Sequence, residues 1–140
     1  MRTPSQTVGP YYAIGTCRRD DSVLDPDGVP LRGTLFDGQG EPVIDGMIEL
    51  WDPAGRRWGR SGTHPDGHFS FVVPRVDHLE CIVFARGLLR HQLTRVYFGE
   101  PDLLELSDEE RATVVAVDEG GAFRFDIRMQ GDRATVFFAH

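Results

Sequence analysis

Lysine is missing altogether: the fifteen basic residues among the 140 are all arginine. They are outnumbered by 22 acidic residues, for a formal net charge of -7, and no basic cluster occurs. Such a chain has little electrostatic footing on a phosphate backbone, which argues against nucleic acid as a partner. A small anion is not excluded, because guanidinium forks suit carboxylates. Cysteine is scarce. Cys17 and Cys81 make no disulfide framework, and Cys81 falls on the apolar side of an alternating stretch, where a thiol packs as a small hydrophobe. No apolar run is long enough to cross a bilayer, and Pro4 and Gly9 stand where a secretory leader needs an apolar stretch. The expectation is a cytoplasmic protein with no membrane partner. Tyrosine has a long gap, with none between Tyr12 and Tyr97.

What is present is the composition of a soluble globular protein, 40% hydrophobic and 26% charged. The length suits one domain, 1–140, with a real core. Its first residues, the arm 1–15, carry Pro4, Gly9 and Pro10 and then Tyr11 and Tyr12. That pattern forbids a regular element, yet a disordered tail seldom holds two adjacent tyrosines, so the arm should lie on a surface. Alternation and turn residues predict strands over 31–36, 47–51, 68–73, 76–87, 91–98, 123–129 and 134–138, with loop over 52–60. Ser107 and Glu110 spell a capping box and so one short helix. The fold class expected is all-β: an antiparallel β-sandwich of about seven or eight strands with one short helix.

The stretch 76–87 carries the question of function. Leu79, Cys81, Val83 and Ala85 alternate with His78, Glu80, Ile82, Phe84 and Arg86. Side chains two apart on a strand share a face, so an imidazole and a carboxylate stand side by side. A facial metal triad needs a third ligand, and His64, His68 and His91 are the histidines within reach in sequence. A polar pair of His78 and Glu80 with each other, or with Arg75 or Arg86, is the plainer reading. Arg86 and Arg95 read as salt-bridge or interface groups that could also steer a carboxylate. Trp51, Phe69, Phe84, Phe98, Phe125, Phe137 and Phe138 read as core aromatics.

Several segments resemble the intradiol ring-cleavage dioxygenases, specifically the protocatechuate 3,4-dioxygenase family and its alpha subunit more than its beta. They are Thr3-Pro4-Ser5-Gln6-Thr7-Val8-Gly9-Pro10-Tyr11, Gly33-Thr34-Leu35-Phe36-Asp37-Gly38, Glu49-Leu50-Trp51, Phe84-Ala85-Arg86-Gly87 and Leu93-Thr94-Arg95-Val96-Tyr97-Phe98. The end of the chain, from Phe123-Arg124-Phe125-Asp126 to Thr135-Val136-Phe137-Phe138, matches as well. The resemblance implies a β-sandwich in paired alpha and beta subunits. It implies Fe(III) in the beta subunit, held by two tyrosines and by two histidines spaced His-x-His on a strand. A catechol binds that iron through both oxygens, and O₂ opens the ring to 3-carboxymuconate.

On this resemblance Thr7, Gly9, Pro10 and Tyr11 match arm positions that reach the partner's substrate pocket. His78 matches the first histidine of His-x-His, Glu80 replaces the second, and Arg75 matches an arginine kept beside the iron. The family's iron tyrosines come from loops between the Trp51 and Trp58 positions and just before His78. Both are cut short here, and neither holds a tyrosine. The implied role is a non-catalytic alpha-type subunit with no metal of its own, a vestigial site at Arg75, His78 and Glu80, and an iron-bearing beta-type partner. Two other readings stand beside it. The strands around 32–50 also look like transthyretin-like or carboxypeptidase-regulatory sandwiches, which would make a stand-alone binding module. A rebuilt metal site on His78 and Glu80 would make a divergent metalloenzyme.

Overall fold

The strand Val29–Phe36 (β1) is the middle of one sheet, and the rest of that sheet is laid against its two edges. The computed structural model describes residues 19–85, 91–130 and 134–138. After a 3₁₀ turn at Arg19–Ser22 come β1, Met47–Asp52 (β2), Arg57–Gly62 (β3), His68–Val73 (β4), His78–Phe84 (β5) and Gln92–Tyr97 (β6). The helix Asp108–Ala112 (α1) follows. Three two-residue strands close the described part: Val117–Asp118 (β7), Phe123–Arg124 (β8) and Ile127–Arg128 (β9).

Two sheets result. One runs β4-β1-β8-β7, with β9 also on β1; the other runs β3-β2-β5-β6. Their inner faces supply the core, including Leu31, Leu35, Ile48, Leu50, Phe71, Leu79, Val83 and Ile127, all essentially inaccessible to water. Burying each such side chain stabilises the fold by roughly 1.5–3 kcal/mol before entropy is subtracted. The cause is visible in β5, whose odd-numbered residues Leu79, Cys81 and Val83 are buried and whose even-numbered ones are only half so. Ser107 caps α1 as expected: its side chain accepts from the Glu110 amide while the Glu110 carboxylate accepts from the Ser107 amide.

The all-β, two-sheet expectation holds, with corrections. The sheet around β1 is mixed rather than antiparallel, because β8 and β9 run parallel to β1. Parallel neighbours need a long crossover, here the whole chain between β1 and β8, which no local pattern announces. The seam is also interrupted. Arg32 pairs with Arg124 and Leu35 with Ile127, but between them the Thr34 amide donates to the Asp126 side chain at 3.0 Å. The expected strand 123–129 is therefore two fragments. Residues 57–60, expected as loop, belong to β3 instead. Its Arg-Trp-Gly-Arg-Ser-Gly sequence shows no apolar alternation, and pairing with β2 holds it in place. Residues 134–138 hold only a bridge from Phe138 to Leu93, although Thr135 binds both backbone groups of Arg128.

One electrostatic tie fastens the β2–β3 hairpin to the loop before β1. Arg57 reaches Asp25 at 2.8 Å. The Asp27 amide first, and Arg57 after it, hold the Asp25 carboxyl below the usual aspartate value. A depressed carboxylate stabilises the fold above its unfolded pKa, and that contribution vanishes as pH falls through the folded one. Both groups are solvent-accessible, so the effect is small. Asp25→Asn should lower the urea midpoint slightly at pH 7 and leave it equal to the parent's in acid below the folded pKa.

Candidate functional site

The outer face of the β3-β2-β5-β6 sheet carries the chemically active side chains. Antiparallel register lines them up in rows: Trp58, Trp51, Glu80 and Arg95 form one, and His78 and Tyr97 the next. Neighbours along a row are within side-chain reach. The Glu80 carboxylate lies 3.6 Å from His78 Nε2 and 3.3 Å from Arg95 Nε. A guanidinium nitrogen of Arg95 donates to the Tyr97 hydroxyl at 3.4 Å. The His78 and Tyr97 rings are 5.3 Å apart and tilted by 30°, and Arg95 also lies over the Phe138 ring at 4.8 Å.

Electrostatics fixes what this cluster can do. The Tyr97 hydroxyl, with Glu80 behind it, raises the Arg95 pKa further above its already high value. The cation is permanent. It stands against the Glu80 carboxylate and uses the tyrosine oxygen as an acceptor. His78 and Tyr97 stack as rings rather than converging a nitrogen and an oxygen on a common point. This donor set does not fit a ferric ion held by two tyrosines and two histidines: it offers one of each, and the tyrosine oxygen is engaged by Arg95. Among the described residues no group of three His, Cys, Asp or Glu side chains is placed to hold a metal. On the opposite face of β5, burial pushes the Cys81 thiol far up, with Glu80 adding to the shift, so it is not a nucleophile.

The residues singled out from the sequence divide. His78 and Glu80 do come together. Arg75 does not join them; it donates to the Asp27 carbonyl at 3.1 Å. Of the histidines considered as third ligands, His68 is on the other sheet beside Asp66 and Thr34, His64 is in the exposed turn before β4, and the His91 ring faces Phe84 at 5.5 Å. Thr7, Gly9, Pro10, Tyr11 and Arg86 lie outside the described residues. Trp51, expected in the core, is 38% exposed, and Trp58 beside it is 44% exposed. Ile48 and Leu50 take the inward positions of β2 and leave Glu49 and Trp51 facing out. Sequence reasoning missed Arg95 as the partner of Glu80 and Tyr97 as the neighbour of His78. Pairing the two alternating stretches as a hairpin would have put all four on one face.

The two short connections are equally plain. Residues 53–56 join β2 to β3, and residues 74–77 join β4 to β5. Each leaves room for a turn and nothing more.

No family model matches the chain. It is 36% identical to the protocatechuate 3,4-dioxygenase alpha chain of Burkholderia cepacia over 190 aligned positions, covering 98% of this chain and 96% of that one. It is 31% identical to the protocatechuate 3,4-dioxygenase alpha chain of Pseudomonas putida, covering 97% and 95%. An alignment of 190 positions against 140 residues leaves about fifty positions without a residue here. Among solved structures, the dioxygenase domain of a dioxygenase and carbohydrate-binding protein fusion from Streptomyces sp. SirexAA-E superposes with a TM-score of 0.58. That match has 20% identity and covers 84% of this chain and 95% of that one. With relatives this similar along its whole length, the chain belongs to the protocatechuate 3,4-dioxygenase alpha-chain family.

Proposed function

We propose that this protein is an alpha-type subunit of an intradiol dioxygenase, acting with an iron-bearing beta-type subunit on protocatechuate or a closely similar catechol. In this reading the partner's Fe(III) would supply the chemistry that opens the ring between the two hydroxyl-bearing carbons. Both atoms of O₂ enter the product, 3-carboxymuconate in the case of protocatechuate. The chain itself supplies no metal ligand. Its contribution is the arm 1–15, with Thr7, Gly9, Pro10 and Tyr11 completing the substrate pocket of the partner, while His78 and Glu80, without Arg75, are what remains of a site of its own.

The observation that carries this reading is the Arg95–Glu80 contact on the face where a metal pair would stand. There Arg95 lies 3.3 Å from Glu80, the residue that stands in place of the second histidine on the resemblance, in a chain similar end to end to named alpha chains. The exposed Trp51 and Trp58 support it too, since paired exposed indoles beside arginines are the composition of a protein interface.

Co-expression with a beta-type chain carrying both tyrosines and His-x-His tests it. A hetero-oligomer containing both chains in equal number, separable from either alone by size, is the expected result. Two species that never co-elute, with this chain a monodisperse monomer, would instead support a stand-alone module.

A further inference from the structure

A second concave surface lies apart from the His78 and Glu80 side chains. Between α1 and the outer side of β8 and β9 lies an open cleft of about 710 Å³. Ligand sites for small molecules are of this size. Its floor is the row Arg124, Asp126 and Arg128, alternate residues that share one face of the sheet. Val115 and Val117 stand along one side, and Val117 is 61% exposed.

The walls are tied to one another. Thr135 donates its amide to the Arg128 carbonyl at 2.9 Å, and its hydroxyl accepts the Arg128 amide at 2.9 Å. The Val136 amide in turn donates to the Thr113 hydroxyl at the end of α1 at 3.1 Å. The cleft is thus braced by hydrogen bonds rather than left by a gap in packing.

Its two arginines differ. Arg124 is neutralised by Asp126, at 3.1 Å, and also contacts Thr34. Arg128 has its guanidinium over the Phe36 ring at 4.5 Å and, among the described residues, forms no ion pair. Its guanidinium also makes no hydrogen bond among the described residues, so its N–H donors are open to a guest. The acidic residues at the rim set the charge a guest can bear. Glu110 is committed to the helix cap, and Glu109 lies exposed beside it. Their field opposes a dianion such as phosphate more than a single carboxylate. A planar carboxylate matches the Arg128 fork, and a short apolar body would cover Val115 and Val117.

From this geometry we infer a binding site for a small organic monocarboxylate with an apolar body, its carboxylate on Arg128 and its body against Val115 and Val117. The site is independent of the subunit role proposed above, and its test uses neither iron nor a partner. The ¹⁵N-labelled full-length chain is titrated with cyclohexanecarboxylate and, separately, with the uncharged cyclohexylmethanol. Saturable shifts confined to residues around 112–117, 124–128 and 134–136 are expected with the acid only. Arg128→Gln should weaken binding at least tenfold. Val117→Glu alters an exposed position, so folding is not at risk, and it should abolish binding. Absence of saturable shifts, equal response to the alcohol, shifts centred on His78 and Glu80, or unchanged affinity in both variants would each overturn the inference.

Discussion

Gly33→Ala is expected to destabilise the protein by about 3 kcal/mol or more, enough to unfold much of a marginally stable domain. Gly33 sits in the middle of β1, where the parallel seam with β8 and β9 is interrupted. A methyl group there would lie 1.7 Å from the Phe125 carbonyl oxygen and 2.6 Å from the Phe69 ring. The ring could tilt, but the oxygen is backbone. Its peptide neighbour is pinned by the Phe125 amide donating to the Arg32 carbonyl at 2.8 Å, and the next residue, Asp126, is held by the Thr34 amide. Relief would need the seam to part, taking buried Phe125 and Ile127 with it. Gly99 is the control. A Cβ there meets nothing within 4 Å, so Gly99→Ala should move the urea midpoint by only a few tenths of a kcal/mol equivalent. Equal midpoints for the two variants would show that the β1 seam does not organise the fold.

The second large effect concerns the arm. In the proposed complex, deletion of residues 1–12 should leave the partner's iron content unchanged. It should raise KM for protocatechuate at least tenfold, about 1.4 kcal/mol of lost binding. Gly9→Leu makes the same test without shortening the chain. At a position where backbone approaches a flat ring, only glycine leaves the space, so the bulkier residue should raise KM while the two chains still co-elute. An unchanged KM in both variants would remove the arm from the substrate pocket and leave the chain with an assembly role alone.

Much of this was legible in the residues, and where it was not the cause is physical. The faces of β5 were plain in its first half, where Leu79 and Cys81 alternate with His78 and Glu80, and the second half, apolar on both faces at Ile82 and Phe84, continues the same register. The capping box was plain because Ser107 and Glu110 act over a single turn. β3 was invisible because its place depends on the partner strand: Arg60 meets Glu49 of β2 at 3.3 Å, an interaction no local window contains. The parallel pairing of β8 and β9 with β1 is non-local in the same way. At the site, His78 and Glu80 stood out from their spacing. The residue that decides their chemistry, Arg95, comes from the next strand and could be placed only through the hairpin register.

Initial rates of oxygen uptake with protocatechuate test the central claim most directly, measured for this chain, for an iron-loaded beta-type chain, and for the two together. The account predicts no uptake by this chain with or without added iron, and a rate for the pair well above that of the beta-type chain alone. Uptake by this chain alone, or a pair no faster than the beta-type chain by itself, would contradict it.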